Sequence, residues 1–81
     1  MIEITVLFFG ITTDLVGKNS LKIELKNNPS VKDCKLELIS KFPSLKNINE
    51  FAIAVNEEYA EDNLVLKKND VVAIIPPVSG G

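Results

Sequence analysis

Residues 2–9, IEITVLFF, place Ile2, Ile4, Val6 and Phe8 on one side of an extended chain and bring Leu7 and Phe9 to the other near its end. This β-branched and aromatic run predicts a strand. Gly10 to Asn19 reads as a connection holding a short helical turn over 12–16. Alternation returns over 20–26, SLKIELK, with Leu21, Ile23 and Leu25 inward and Lys22, Glu24 and Lys26 outward. That is a half-buried strand, expected antiparallel to the first. Asn27-Asn28-Pro29 then breaks the chain, and Ser30 is placed to cap a helix. Asp33, at the third helical position, makes a weaker variant of the capping box. Val31, Cys34, Leu38 and Phe42 recur at spacings of 3, 4 and 4, which forms one stripe on a helix. Leu36 falls off the stripe, and Pro43 ends the helix.

Phe51–Val55 is a second strand-like run in which Phe51, Ile53 and Val55 alternate with two alanines. Asn56 to Asn63 is polar and acidic, suited to a turn and a short edge segment. Val71–Ile75 is apolar on both faces, as a strand in the middle of a sheet requires. One helix with a single stripe packs across one face of a mixed sheet, an α+β two-layer arrangement. The first and last strands are the most apolar and are expected side by side at the centre. This element order is the one found in ubiquitin-like β-grasp domains, here over 1–75, with 76–81 as an extended tail.

Composition narrows the chemistry. Eighty-one residues make one domain, 46% hydrophobic and 25% charged. A net charge of −2 gives no bulk attraction to nucleic acid or to an anionic membrane. The longest apolar runs have five residues, far short of the roughly 20 that span a bilayer. The first lysine is Lys18, so no basic leader is expected, and the chain reads as soluble and cytoplasmic. The single Cys excludes an intrachain disulfide. Without His, the side chain best suited to proton transfer near neutral pH is missing, and a structural zinc site cannot be assembled from one Cys. Without Arg there is no bidentate fork for a phosphate or carboxylate. Gly10 and Gly17 are isolated, so no phosphate-binding glycine loop is present. A self-sufficient enzyme is not expected.

The chemistry points to the tail, Pro76-Pro77-Val78-Ser79-Gly80-Gly81. At average glycine usage a terminal pair arises in roughly one chain in 200. The prolines bias Ile75-Pro76-Pro77 toward extended geometry, so the tail is expected to project stiffly from the sheet. Six residues beyond Ile75 span at most about 20 Å. A stiff base with a side-chain-free tip suits threading a narrow channel, and pre-extension lowers the ordering cost of docking. The reactive group is then the Gly81 α-carboxylate. It is inert until activated, for example as an acyl-adenylate, after which a sulfur nucleophile leaves a thiocarboxylate.

Phe8-Phe9-Gly10, Val55-Asn56 and the ten residues Val72 to Gly81 carry a resemblance over essentially the whole chain. The sequence resembles the small, sulfur-carrier subunits of molybdopterin synthase. The resemblance implies a β-grasp fold and a Gly81 thiocarboxylate made by an E1-like adenylating enzyme, with ATP and Mg²⁺ used by that partner and sulfur from a donor enzyme. No cofactor or metal is implied for this chain itself. It further implies that Ile75, Pro76, Pro77, Val78, Ser79 and Gly80 form a tail inserted into the synthase large subunit, within a heterotetramer. There, sulfur passes to cyclic pyranopterin monophosphate. Two positions depart from the family pattern. Lys68-Asn69-Asp70 replaces the usual Asp-Gly-Asp before the final strand, a turn that Asn is able to sustain. No basic residue accompanies Thr13-Asp14.

Other residues read more plainly. Cys34, on the helix stripe, is a buried small hydrophobe rather than a persulfide carrier. Glu57, Glu58, Glu61 and Asp62 read as a solvated loop rather than a recognition patch. Ile74 reads as core, and Val78 as the better candidate for a partner contact. Two further classes stay open: a carrier for thiamine synthesis or tRNA thiolation, or a ubiquitin-like modifier, on one side; a β-grasp binding module with an incidental tail on the other.

Overall fold

A computed structural model of the chain describes residues 1–77, apart from the Asn49 side chain. The first strand, β1 (Ile2–Phe8), alternates as its sequence does, with Ile4, Val6 and Phe8 buried and Thr5 and Leu7 half-buried on the other face. A short helix, α1 (Ile11–Val16), leads to β2 (Ser20–Leu25), which pairs antiparallel with β1 from Ile2↔Leu25 to Leu7↔Ser20. Boundaries in this first half shift by a residue: β1 stops before Phe9, α1 begins at Ile11, and β2 stops before Lys26.

The main helix, α2 (Val31–Lys41), begins with a complete capping box. The Asp33 amide donates to Ser30 Oγ at 3.2 Å, and the Ser30 amide donates to Asp33 Oδ2 at 2.9 Å. Asp therefore does here what Glu more often does. Two amides that a helix start leaves unpaired find loop carbonyls instead: Val31 N–H donates to Leu64 O and Lys32 N–H to Asp62 O. Val31, Cys34 and Leu38 are buried, and Phe42, as C-cap, sets its ring edge-on to Phe8 with centroids 6.4 Å apart. Leu36 is exposed, as its position off the stripe implies.

Two 3-10 turns, Pro43–Leu45 and Ile48–Glu50, follow the helix. Leu45 and Ile48 are completely buried, as is nearly all of Leu66 in the later loop. None of the three lies in a periodic segment, so pattern alone did not mark them as core. The chain then forms β3 (Ala52–Val55) and the two-residue edge strand β4 (Glu58–Tyr59). Asn56 and Glu57 between them both have positive φ (51° and 72°), the geometry of a tight hairpin turn. The last strand, β5 (Val71–Ile75), runs parallel to β1 and antiparallel to β3, giving the order β2-β1-β5-β3-β4. β1 and β5 are thus side by side at the centre. The helix covers one face only, which is the β-grasp arrangement.

Candidate functional site

The site is the end of β5 and what surrounds it. Val72 and Ile74 have no exposed surface, and Ile74 sits opposite Phe8 on β1 and Ile53 on β3. A strand hydrogen-bonded on both sides and plugged into the core on one face cannot slide along its axis without breaking both ladders at once. The fold therefore holds the point from which the last residues depart. Ile74 is core, as read from the sequence, while Ile75 is half-buried.

The head of β5 is tied down as well. Asn56 Nδ2 donates to Asp70 Oδ1 at 2.9 Å, and the Val71 amide donates to Asn56 Oδ1 at 3.0 Å. Asp70 Oδ2 also accepts from the Lys67 amide at 2.8 Å. The turn before β5 passes through Asn69 at φ 68°, so Asn takes the left-handed position where the family usually has Gly. Asn56 was visible in the sequence as half of the Val55-Asn56 pair; its bond to Asp70, fourteen residues on, was not.

Beyond Ile75 the chain does not leave the domain at once. Pro76 is half-buried against Gly10, and Pro77 is the first exposed residue after β5. Of Ile75-Pro76-Pro77, read from the sequence as projecting from the sheet, Ile75 is the last residue of β5 and Pro76 lies beside Gly10. Val78, Ser79, Gly80 and Gly81 lie outside the described residues.

The junction between β1 and α1 that meets Pro76 is bonded into a compact knot. Thr12, with no exposed surface, accepts from the Phe9 amide through Oγ1 at 2.9 Å and donates the same hydroxyl to Phe9 O. Thr13 Oγ1 donates to Phe8 O at 3.1 Å. Phe9 and Ile11 flank the knot and are 48% and 58% exposed, which leaves apolar surface beside the root of the tail. On the sheet face away from α2, Leu7, Phe9, Val71 and Ala73 line an open groove that leads to the same end. Sequence reading placed Phe8-Phe9-Gly10 after the first strand without giving it a role; Thr12 and Thr13, just past Gly10, were the available signal of a bonded junction there.

Cys34 stands apart from this end chemically. It is 1% exposed, and burial, with a smaller contribution from the negative charge of Glu37, pushes its thiol up to about 12. Glu57, Glu58 and Glu61 are solvated, but Asp62 is not free: its Oδ1 accepts from Lys35 Nζ at 2.6 Å. Among the described residues no three His, Cys, Asp or Glu side chains converge to hold a metal ion, and no helix is long and apolar enough to cross a membrane.

The chain matches the ThiS family over residues 6–81. It is 38% identical to the molybdopterin synthase sulfur carrier subunit of Arabidopsis thaliana over 81 residues, covering 99% of this chain and 84% of that protein. Its fold matches a putative molybdopterin converting factor subunit 1 from Pyrococcus furiosus at a TM-score of 0.89 and 28% identity, over 96% of this chain and 100% of that one. A complex of subunits 1 and 2 of the molybdopterin-converting factor from Helicobacter pylori contains a similar chain, at a TM-score of 0.72, 28% identity and 99% and 100% coverage. The end-to-end match, with β5 leading into the tail, places the sequence within one group: the chain belongs to the ThiS family and, within it, to the molybdopterin synthase sulfur carrier subunits.

Proposed function

We propose that this chain carries sulfur for a molybdopterin synthase on the α-carboxylate of Gly81, and that catalysis is supplied by its partners. The observation that carries the reading is the central position of β5: a strand locked on both sides runs directly into Pro76-Pro77 and a sequence ending Gly80-Gly81. An adenylating partner, using ATP and Mg²⁺, lets the carboxylate oxygen attack the α-phosphorus and expels pyrophosphate. The terminal sulfur of a donor persulfide then attacks the acyl carbon and AMP leaves. A second thiol releases the donor as a disulfide and leaves a thiocarboxylate. With no β-carbon at Gly80 or Gly81, an enzyme is able to surround that carbon closely. In the synthase the large subunit receives the tail, and sulfur goes to cyclic pyranopterin monophosphate. The Helicobacter relative, solved with its subunit 2, lends support to such an assembly. Phe9 and Ile11, exposed beside the tail root, are the apolar surface such a partner covers. The site of action is the cytoplasm, where ATP and persulfide donors are at hand.

Purified alone, the protein is expected to be inactive as a sulfur donor. Incubated with the adenylating enzyme, ATP, Mg²⁺ and a persulfide donor, it should gain the mass of sulfur replacing oxygen on the peptide containing Gly80-Gly81. Deleting Gly81 should leave the melting temperature unchanged, because a terminal glycine has no side chain to bury, and should abolish transfer. Gly81→Val should slow activation far more than Ser79→Ala, which removes at most one hydrogen bond of about 1 kcal/mol. Transfer that survives loss of Gly81 overturns the reading. A mass gain on Cys34, or a conjugate to a lysine, moves the protein into a persulfide or modifier class.

A further inference from the structure

We propose that Gly10 is a positioning residue for the tail: its bare face is the seat on which Pro76 rests, and that seat sets the direction in which the chain leaves the domain at Pro77. This rests on the sulfur-carrier reading and adds to it a residue 66 positions from Pro76 in the sequence.

Gly10 has φ 56° and ψ −135°, a conformation closed to ordinary L residues. It cannot relax out of that conformation, because the bonds on both sides are made. Thr12 holds Phe9 through its hydroxyl and backbone, the Thr13 amide donates to Gly10 O at 3.1 Å, and Thr13 Oγ1 holds Phe8 O. A β-carbon on Gly10 would lie 3.1 Å from Cγ and 3.9 Å from Cδ of Pro76. Carbon atoms pack favourably at roughly 3.5–4.0 Å, so the ring would have to move. Pro76 meanwhile has its own φ fixed by the ring, so a displacement larger than a change of ring pucker takes up is passed to the peptide that follows. β5 cannot absorb it either, being paired through Ile75 with Ala52 on β3 and through Ile74 with Phe8 on β1.

Gly17, at the other end of α1, supplies a control. It also has positive φ (80°), but a β-carbon there meets nothing within 4 Å. Gly17→Ala therefore adds backbone strain to the same short helix without touching the tail.

The test uses the full-length chain. In pyrophosphate exchange with the adenylating enzyme, Gly10→Ala should raise KM for the carrier about tenfold and leave kcat within about twofold, since a misdirected tail costs binding while the partner's channel still aligns the seated carboxylate. Gly17→Ala should leave both constants near those of the parent. Gly17→Ala should lower the melting temperature by roughly 4–8 °C, and Gly10→Ala by about twice that, because it adds the contact with Pro76 to the backbone strain. With Pro76→Ala as background, the melting-temperature loss caused by Gly10→Ala should shrink by about half, because the ring it displaces is gone; that due to Gly17→Ala should not change. A KM shift equal at both glycines, or no relief from Pro76→Ala, overturns the seat. No exchange by the parent protein overturns the sulfur-carrier reading instead, and the Pro76→Ala cycle still decides whether Gly10 seats the tail.

Discussion

The thiol of Cys34 shows how little residue type says without its surroundings. A protein that carries sulfur and has one cysteine invites a role for it, yet this one is packed between α2 and the sheet. Its pKa, pushed up to about 12 chiefly by burial, keeps it protonated at neutral pH, and a neutral thiol is a poor nucleophile. Cys34→Ser is expected to cost about 1–2 kcal/mol of stability, from a hydroxyl placed at an apolar position, and to leave sulfur transfer intact. The thiol also confers a pH dependence. The unfolded group ionises near 9.0 and the folded one near 12, so the folded state holds the extra proton between those values. Its contribution is complete below pH 9 and is lost as the pH rises toward 12. Urea unfolding from pH 7 to 11 should show the parent protein losing stability more steeply than Cys34→Ala above pH 9, by up to about 1.4 kcal/mol per pH unit. Parallel curves would assign the alkaline loss to other groups.

Among the elements, β5 is the one that leads into the tail proposed to carry sulfur, and its two ends are secured differently. The far end rests on Gly10; the head is held by the Asn56 side chain, which bridges the β3–β4 turn to Asp70 and Val71. Asn56 has positive φ, so two contributions are separable there. Asn56→Gly keeps the backbone at ease and removes the side-chain bonds, which are exposed, and should cost about 1 kcal/mol in chemical denaturation. Asn56→Ala should cost roughly 1 kcal/mol more, the price of a β-carbon in the left-handed region. If the two variants were equal, the side-chain bonds alone would account for Asn56.

Across the whole molecule, the helix layer is joined to the loop that precedes β5 by one ion pair and three backbone bonds. Lys35 lies on α2 with its side chain 10% exposed, and its ammonium reaches Asp62, which is 52% exposed. The neighbouring amides of Val31 and Lys32 donate into the same loop, and the Leu66 amide donates to Pro29 O. An ammonium with little access to water is costly when its partner is removed, whereas replacing it by an apolar chain of similar length is not. Asp62→Ala should therefore destabilise by about 1–2 kcal/mol, and Lys35→Met by less than about 1 kcal/mol, in thermal or urea unfolding. The opposite ranking would mean that the pair contributes net attraction and not only mutual compensation. Neither change should alter sulfur transfer, since both residues lie away from the end of β5.

The four longer strands and α2 were legible in the sequence, because period-2 and helical patterns record which side of a local segment is buried; the two 3-10 turns were not. The central place of β5, the single main helix with its cap at Ser30, and the buried state of Cys34 and Ile74 all followed from patterns a few residues long. The chemistry proposed for Gly80-Gly81 was also read from consecutive residues, and those residues lie outside the described part of the chain. Contacts between distant segments were not legible. Leu45, Ile48 and Leu66 are core without periodicity, since irregular segments fill whatever space helix and sheet leave open. Lys35 reads as a solvated charge until the fold brings Asp62 to it, and Asn56 reads as a turn residue until Asp70 arrives. Gly10 reads as a connection until β5, running parallel to β1, delivers Pro76 onto its open face. Local sequence decides what each segment becomes, because propensity and burial pattern act over neighbouring residues. Which side chains meet is decided by how the segments pair, and only the tertiary structure settles that.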